Sequence, residues 1–488
     1  MQKLSLVWKL GFVAAIAVVC STSLAQISTA QRNGGDYGDG DYPSPTPPSS
    51  PSPPQPPIFL PPPSSTAGVC DRLVGTMCNP VSPQPNEPIA GIDTEQTEEI
   101  CRYTKTCTSI PPVTLAFVQE LIKKAEQVTE SKTAVVYFNI FADRLEILVV
   151  PANGKELRKV VSNIGKNKSA VTVKDEIEAT VVELLNAIRD PSSEDYLPTA
   201  QSLYDWLIRP IEADLESSEI KTLVFVMAGS LRSIPISVLH DGKKFLAQKY
   251  ATATVPSMGL VNLQLRDRRR NNILAMGLTQ KTQEFSEIPN VAIEVNTIIA
   301  QILEGKVFLN QDFTLENLIT QQQQKNYGIV HLATHAQFLS STADGAFIQL
   351  WNERLSLDRL RTIQIGQEAI EMLVLSACQT AVGQNLGLSG VAIIYRAKSV
   401  LASLWKVDDA GTTPLMLAFY HNYPTAKSKA IAIQQAQIAL IEGNVKIENQ
   451  KVVGIPNLPP ILLKDFNEGS ELKHPYFWSS FILVGNWL

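Results

Sequence analysis

The chain has 488 residues, of which 44% are hydrophobic, and a formal net charge of −5 at pH 7. This length allows two or three domains, and the hydrophobic content is ordinary for a globular core. A slightly acidic chain without an extended basic face is not typical of nucleic-acid-binding proteins, so we expect no nucleic-acid partner.

The N-terminus has the layout of a secretory signal peptide over residues 1–25. Two lysines flank a moderately apolar start, residues 10–20 are uncharged and apolar, and the small residues Ser23 and Ala25 form a cleavage site. The apolar core is too short to span a bilayer comfortably. A retained membrane anchor is the alternative. We therefore expect export to the periplasm, the cell surface or the medium, with no stable membrane insertion after the signal is removed.

Residues 26–66 are predicted to be a disordered linker. A Gly/Asp-rich stretch leads into repeated Pro/Ser segments. This composition cannot bury a core and favours extended polyproline II, so the linker should act as a semi-rigid spacer.

Residues 67–110 are predicted to be a small segment stapled by two disulfides. Four of the six cysteines lie here, namely Cys70, Cys78, Cys101 and Cys107. An even cluster in an exported chain favours disulfides, with three possible pairings. Their spacing differs from the paired Cys-x-x-Cys pattern of zinc sites, so no metal is predicted. Cys378 is then a single thiol, either a buried inert residue or a nucleophile.

From residue 111 onward, helical and strand patterns alternate. Helical spacing is predicted over 115–128, 172–189, 197–217, 291–303, 313–324, 411–422 and 427–441. Apolar strand patterns are predicted over 133–140, 144–150, 222–227, 272–276 and 399–405, and at the two runs that contain His335 and Cys378. Strands separated by helices of this length indicate an α/β fold, a three-layer αβα sandwich with a mainly parallel sheet.

Two of the apolar runs end in a reactive side chain. One ends at His335 and the other, about forty residues later, at Cys378. If the runs are neighbouring parallel strands, their carboxyl ends bring an imidazole beside a thiol, where ligands bind in open α/β sheets. Either residue alone is more often part of a core. His331, four residues before His335, is expected to be a buried, hydrogen-bonded core residue.

From about residue 200 to 488 the chain resembles the CHAT domain, a caspase-like module. The resemblance is carried by His331-Leu-Ala-Thr-His335, Leu375-Ser-Ala-Cys378-Gln-Thr-Ala381, Val400-Leu-Ala-Ser-Leu-Trp405-Lys-Val-Asp408-Asp409 and the closing His474-Pro-Tyr-Phe-Trp478 with Gly485-Asn-Trp487. Supporting matches are Leu231-Arg-Ser-Ile-Pro235 and Ile288-Pro-Asn-Val291 with Glu294. The resemblance implies a cysteine endopeptidase fold with Cys378 as nucleophile and His335 as general base.

The resemblance also implies the surroundings of this dyad. The backbone N–H groups of Cys378 and Ala336 would form the oxyanion hole, although the family usually has Gly at the position of Ala336 and commonly has Glu at that of Gln379. Asp408 and Asp409, with Trp405, are predicted to bind substrate, and an acidic pocket wall would favour Arg or Lys at the cleavage position. An ordinary helix cap is the alternative for these two aspartates.

The prediction is therefore an exported cysteine endopeptidase over residues 111–488, with its core at 200–488. It would hydrolyse peptide bonds through a thioester acyl-enzyme without a cofactor or metal, and its partner would be a protein or peptide substrate. The alternative is a catalytically silent CHAT scaffold that binds proteins at the cell surface. Its export signal and proline spacer resemble those of bacterial, particularly cyanobacterial, CHAT proteins. The sequence does not indicate an oligomeric state.

Overall fold

The structure is a computed structural model of the chain. It describes residues 88–104, 112–165, 172–264, 272–282, 285–337, 346–363, 369–378, 396–405, 409–464 and 471–488, which belong to one compact unit. The predicted signal peptide and linker lie outside the described residues, as do Cys70, Cys78 and Cys107.

Of the α-helices in the described residues, eight lie in the predicted ranges and three, Pro88–Thr104, Leu357–Thr362 and Pro475–Trp478, were not predicted. The α-helices are α1 (Pro88–Thr104), α2 (Leu115–Thr129), α3 (Val173–Ile188), α4 (Tyr196–Leu207), α5 (Arg209–Ser217), α6 (Asn290–Gln301), α7 (Leu315–Gln324), α8 (Leu357–Thr362), α9 (Asp409–Asn422), α10 (Lys429–Ile441) and α11 (Pro475–Trp478). Several begin after a hydroxyl residue whose side chain accepts a hydrogen bond from the first turn, as Thr114, Thr314 and Ser428 do. Thr172 and Asp175 form a capping box at α3. These caps satisfy N–H groups that have no partner within the helix.

The single helix predicted over 197–217 is two helices, α4 and α5. The break lies at Ile208, and Pro210 stands at the start of α5. Proline lacks an N–H group and its ring clashes with the carbonyl four residues earlier, which kinks or breaks a helix and favours a helix start at this position.

The strands alternate with these helices. They are β1 (Thr133–Ile140), β2 (Leu145–Pro151), β3 (Leu157–Val161), β4 (Thr222–Val226), β5 (Ala251–Val255), β6 (Ile273–Gly277), β7 (Gly305–Leu309), β8 (Ile329–Gln337), β9 (Phe347–Gln349), β10 (Arg354–Ser356), β11 (Met372–Cys378), β12 (Ser399–Ser403), β13 (Lys446–Glu448), β14 (Lys451–Val453), β15 (Ile461–Leu462) and β16 (Phe481–Gly485). Each strand predicted from an apolar run is present. Short strands such as β3, β5 and β7 were not predicted.

Among the described residues, thirteen strands form one sheet in the order β10-β9-β8-β11-β12-β16-β5-β4-β1-β2-β3, with β6 paired to β8 and β7 paired to β6. The strands β6, β7, β8, β11 and β12, which we call the His–Cys half-sheet, are mutually parallel. The strands β1, β4 and β5, which we call the N-terminal half-sheet, are also parallel to one another. The α/β class and the mainly parallel sheet are therefore confirmed.

The two half-sheets run in opposite directions. Strand β16 lies between them, antiparallel to β12 and parallel to β5. The carboxyl ends of the two half-sheets consequently point to opposite edges of the sheet. The seam between β16 and β5 is narrow, with Val484 opposite Thr254 as its one register pair in the described chain.

Helix α1, which falls within the predicted Cys-rich segment, packs on the N-terminal half-sheet. Asp93 is fully buried and accepts hydrogen bonds from Ser257 Oγ at 2.5 Å, the Met258 and Gly259 N–H groups at 2.8 and 3.2 Å, and Tyr137 OH at 3.2 Å. Burial raises the pKa of Asp93, and these hydrogen bonds oppose that rise. Cys101 in the same helix is disulfide-bonded, and the pairing of the cysteines stays a prediction.

Candidate active site

The central observation is the register of two neighbouring parallel strands. His335 of β8 lies directly opposite Cys378 of β11, the last residue of that strand. Adjacent strands lie about 4.8 Å apart, so the backbones of the two residues are neighbours at the carboxyl edge of the His–Cys half-sheet. The predicted juxtaposition of these two positions therefore occurs in the backbone. The Cys378 side chain lies outside the described part of the structure.

The imidazole of His335 is held by a loop that the sequence did not indicate. Its side chain is nearly buried, and Nε2 lies 2.9 Å from the carbonyl oxygen of Ser286. The ring of Phe285 stacks on the imidazole, with centroids 4.7 Å apart and planes 18° apart. A carbonyl oxygen can only accept, so we assign the proton of the neutral ring to Nε2, which leaves the lone pair on Nδ1. Any residue can supply a backbone carbonyl, so the serine at position 286 could not have predicted this contact from the sequence.

Ala336, the predicted second oxyanion donor, lies inside a strand. It is buried and stands opposite Ile348 of β9 in an antiparallel ladder. The extended backbone there does not need glycine, so alanine fits the local conformation. Its predicted role in the oxyanion hole stays a prediction.

His331 belongs to the core, as predicted. It is fully buried, and its Nδ1 lies 2.9 Å from the hydroxyl of Tyr420 in α9. Its Nε2 lies 3.1 Å from Glu294 Oε1 in α6, without the alignment of a hydrogen bond. Burial raises the pKa of Tyr420 well above its usual value, and the carboxylate of Glu294 adds to this. This buried cluster attaches α6 and α9 to the strand that carries His335.

The predicted substrate-binding residues differ in their surroundings. Asp408 lies outside the described residues. Asp409 is the first residue of α9, and its carboxylate accepts the backbone N–H of Asn290 at 2.8 Å. Trp405 is buried and donates its indole N–H to the Tyr476 carbonyl at 3.2 Å. A substrate contact stays a prediction for all three.

A buried charge cluster lies at the opposite end of β11. Glu371, which precedes that strand, pairs with Lys429 at 2.6 Å and with Lys398 at 2.9 Å. Burial raises the pKa of Glu371, but the two ammonium groups outweigh burial and hold the pKa below its usual value. The cluster joins the starts of β11, β12 and α10, and sequence reasoning did not identify it.

Both strands of the candidate site lie within a region that matches a known protein family. The family model described as "CHAT domain" matches residues 197–486, which is more than half of the chain. The chain belongs to the CHAT domain family. This CHAT match begins in α4 and ends after β16, so it includes both His335 and Cys378. Strands β1 to β3 precede it, yet β1 pairs in parallel with β4 and is part of the same sheet.

Solved structures resemble this CHAT protein over much of its length at low sequence identity. Two crystal structures of the Saccharomyces cerevisiae separase–securin complex match at 10% identity. The first match has a TM-score of 0.45 and covers 82% of this chain and 33% of that chain. The second has a TM-score of 0.40 and covers 75% and 31%. The CHAT protein thus spans about a third of the chain that it matches.

No curated protein matches this sequence. Within the described ranges, no helix is both long and apolar enough to cross a membrane.

Proposed function

We propose that this CHAT protein is a cysteine endopeptidase of caspase-like, three-layer architecture. The observation that supports this proposal best is the in-register placement of His335 and Cys378 at the carboxyl ends of adjacent parallel strands. The hydrogen bond between His335 Nε2 and the Ser286 carbonyl supports it further, because it orients the ring and defines Nδ1 as the nitrogen that accepts a proton.

In the proposed reaction, the Cys378 sulfur attacks the carbonyl carbon of a peptide bond. His335 accepts the thiol proton, through Nδ1 in the assigned tautomer, and then donates it to the leaving amine nitrogen. The resulting thioester acyl-enzyme is hydrolysed by water, which His335 deprotonates. This releases the carboxylate product and restores the thiol.

The proposed oxyanion hole consists of the Cys378 and Ala336 N–H groups. Each such donor stabilises the tetrahedral intermediate by about 3 kcal/mol. The predicted basic specificity is retained as a proposal: Asp408 and Asp409, at the wall of the substrate pocket, would favour Arg or Lys at the cleavage position. A fluorogenic peptide panel tests this preference, and cleavage after Asp with none after Arg or Lys would refute it.

The decisive experiment for the peptidase is active-site labelling with an acyloxymethyl ketone peptide. We expect the wild type to be labelled, Cys378→Ala to remain unlabelled, and His335→Ala to react on the order of 10²- to 10⁴-fold more slowly, as expected when a general base is lost. Mass spectrometry of the labelled peptide identifies the modified residue. Equal labelling of all three proteins would exclude the peptidase.

The alternative function is a silent CHAT scaffold that binds proteins. The pairing of Ala336 with Ile348 favours it, because a residue within a ladder has its backbone directed toward a neighbouring strand. A scaffold would show no labelling, and Ala336→Gly would not restore it. Labelling that increases in Ala336→Gly would instead mean an active site weakened by the alanine methyl group.

We further propose that the protein is exported, with residues 1–25 removed, and that a disordered spacer over 26–66 presents the folded part. The segment 67–110 would contain two disulfides. Thiol titration of the unfolded, unreduced mature protein should then detect one thiol, that of Cys378. Four additional thiols would refute the two disulfides.

A further inference from the structure

Asn290 joins three segments around the candidate active site. It is the first residue of α6 and is fully buried. Its Nδ2 donates to the Lys464 carbonyl at 2.8 Å, and its Oδ1 accepts the Lys464 N–H at 2.8 Å. Its own N–H donates to the carboxylate of Asp409 at 2.8 Å. The side-chain amide of Asn290 thus forms with the Lys464 backbone the two hydrogen bonds that another peptide group would form.

Helix α6 depends on these contacts because it has no cap of its own. The residue before it is Pro289, whose side chain makes no capping hydrogen bond. The first N–H groups of a helix need an acceptor, and a carboxylate is a strong one at this positively polarised end. Asp409, 119 positions later in the chain, supplies that acceptor from the start of α9.

The same segment holds the imidazole of His335. Ser286, whose carbonyl accepts from His335 Nε2, lies four residues before Asn290, and Phe285, which stacks on the ring, lies next to it. The Ser286 carbonyl therefore lies between two anchors: the bridge of Phe285 with Thr282, whose backbone hydrogen bonds are 2.8 and 3.2 Å long, on one side and Asn290 on the other. One turn further along α6, Glu294 contacts His331 of β8 and attaches the helix to the strand of His335 itself.

We propose that Asn290 is a positioning residue for the His335 imidazole, acting through the segment 285–290. Its bond to Asp409 couples this segment to the start of α9. This role rests on the proposed function, because the orientation of His335 serves a reaction only if the protein is a peptidase. The position of the His335 ring can be measured directly, so the test does not require peptidase activity.

The control is Asn486, which has the same chemistry at a different place. It is fully buried, donates Nδ2 to the Asn262 carbonyl at 2.7 Å and accepts the Leu488 N–H at 2.8 Å. Asn486→Ala therefore removes a matched pair of buried hydrogen bonds. A merely structural role for Asn290 predicts that Asn290→Ala and Asn486→Ala behave alike.

The first readout is the exchange of the His335 Nε2–H proton with solvent, followed by NMR on protein labelled with ¹⁵N-histidine. The chain has five histidines, and His335→Gln assigns the signal. We expect Asn290→Ala to speed this exchange on the order of tenfold to hundredfold, as expected when one or two buried hydrogen bonds are lost. Asp409→Ala should have a similar effect, while Asp409→Asn, which keeps an acceptor oxygen, and Asn486→Ala should retain the wild-type rate.

The second readout is the pH profile of Cys378 alkylation by iodoacetamide. We expect a shifted profile in Asn290→Ala and an unchanged one in Asn486→Ala. Unchanged ring exchange in both Asn290→Ala and Asp409→Ala, or a wild type without a protected Nε2–H, would overturn the proposal. A wild type whose Cys378 reacts independently of His335 would overturn the peptidase instead, while the ring exchange still decides the role of Asn290.

Discussion

At His335, the backbone carbonyl of Ser286 and the phenyl ring of Phe285 both contact the imidazole. The hydrogen bond to Ser286 selects the tautomer, and the stacked Phe285 restricts rotation of the ring and covers one of its faces. Both contacts precede α6, so the orientation of the His335 imidazole depends on the loop between β6 and α6.

Replacing Phe285 should therefore affect reactivity more than stability. The side chain of Phe285 is only partly buried. Phe285→Ala should lower the rate of acyloxymethyl ketone labelling on the order of tenfold through loss of a fixed base geometry. Phe285→Tyr, which keeps the stacked ring, is the matched control and should label like the wild type. Equal rates for Phe285→Ala and the wild type would contradict the role of the stack.

A second residue-scale prediction concerns Gly485, which lies at the end of β16. Its φ is +94°, and a Cβ atom there would lie 2.5 Å from the Lys398 carbonyl oxygen. Gly485→Ala should reduce the free energy of unfolding by about 1–3 kcal/mol or more, since a non-glycine residue is strained in this region.

Gly91 in α1 is the matched control for this substitution. A Cβ atom there meets nothing within 4 Å. Gly91→Ala should increase the free energy of unfolding by about 0.5–1 kcal/mol, because alanine is the better helix former. Urea unfolding measures both variants. Equal effects in the two would contradict the backbone argument.

Among the elements, α1 is attached to the sheet through a buried side chain. Asp93 accepts hydrogen bonds from the Met258 and Gly259 N–H groups, and the Gly259 N–H also lies 3.1 Å from Ser257 Oγ. Asp93→Ala would remove this carboxylate acceptor, so we expect a loss of about 1–3 kcal/mol in the free energy of unfolding, measured with urea. A loss below the error of the measurement would mean that α1 docks by apolar contacts alone.

The pH dependence of this effect has a definite sign. The pKa of Asp93 is raised in the folded protein from its ordinary value of 3.8. Its contribution to stability is therefore fully present below the unfolded pKa and is lost as the pH rises through the folded pKa. The unfolding free energy of the wild type relative to Asp93→Asn should fall as the pH rises above 3.8. A difference that stays constant with pH would contradict the raised pKa.

For the molecule as a whole, the Glu371 cluster is a buried interaction that acid weakens. The pKa of Glu371 is lowered from 4.5, so its contribution is present above the unfolded pKa and is lost as the pH falls through the folded pKa. Glu371→Gln leaves the buried Lys429 without its carboxylate, which should cost about 3–5 kcal/mol at pH 7. Lys429→Met in addition should restore part of the loss.

The exposed pair of Glu130 and Lys427 is the control, because both side chains are more than half exposed. Glu130→Gln should change the unfolding free energy little. Unfolding at pH 7 and at steps below pH 4.5 measures both effects. A similar response of Glu371→Gln and Glu130→Gln would contradict the importance of burial.

Local patterns predicted most of the architecture, because apolar periodicity and helix caps act over a few residues. They indicated β8 and β11, and hence the meeting of His335 with Cys378, but not the short helix α8 between these strands. They could not indicate the reversal at β16, where one strand near the C-terminus joins two parallel half-sheets. Nor could they show that Asp409 caps a helix more than a hundred residues away, because such contacts are set only by the assembled sheet.

The reversal at β16 separates α1 from the edge of the sheet that carries Cys378. Helix α1 docks at the carboxyl end of β5, on the opposite edge from Cys378 and three strands away from β11. With strands spaced about 4.8 Å apart and rising about 3.3 Å per residue, the two positions are separated by more than 20 Å. A peptide bond near Pro88 is therefore out of reach of Cys378 of its own molecule while α1 is docked. If the proposed peptidase cleaves itself there, the cleavage should be intermolecular, with an initial rate that rises with the square of the protein concentration.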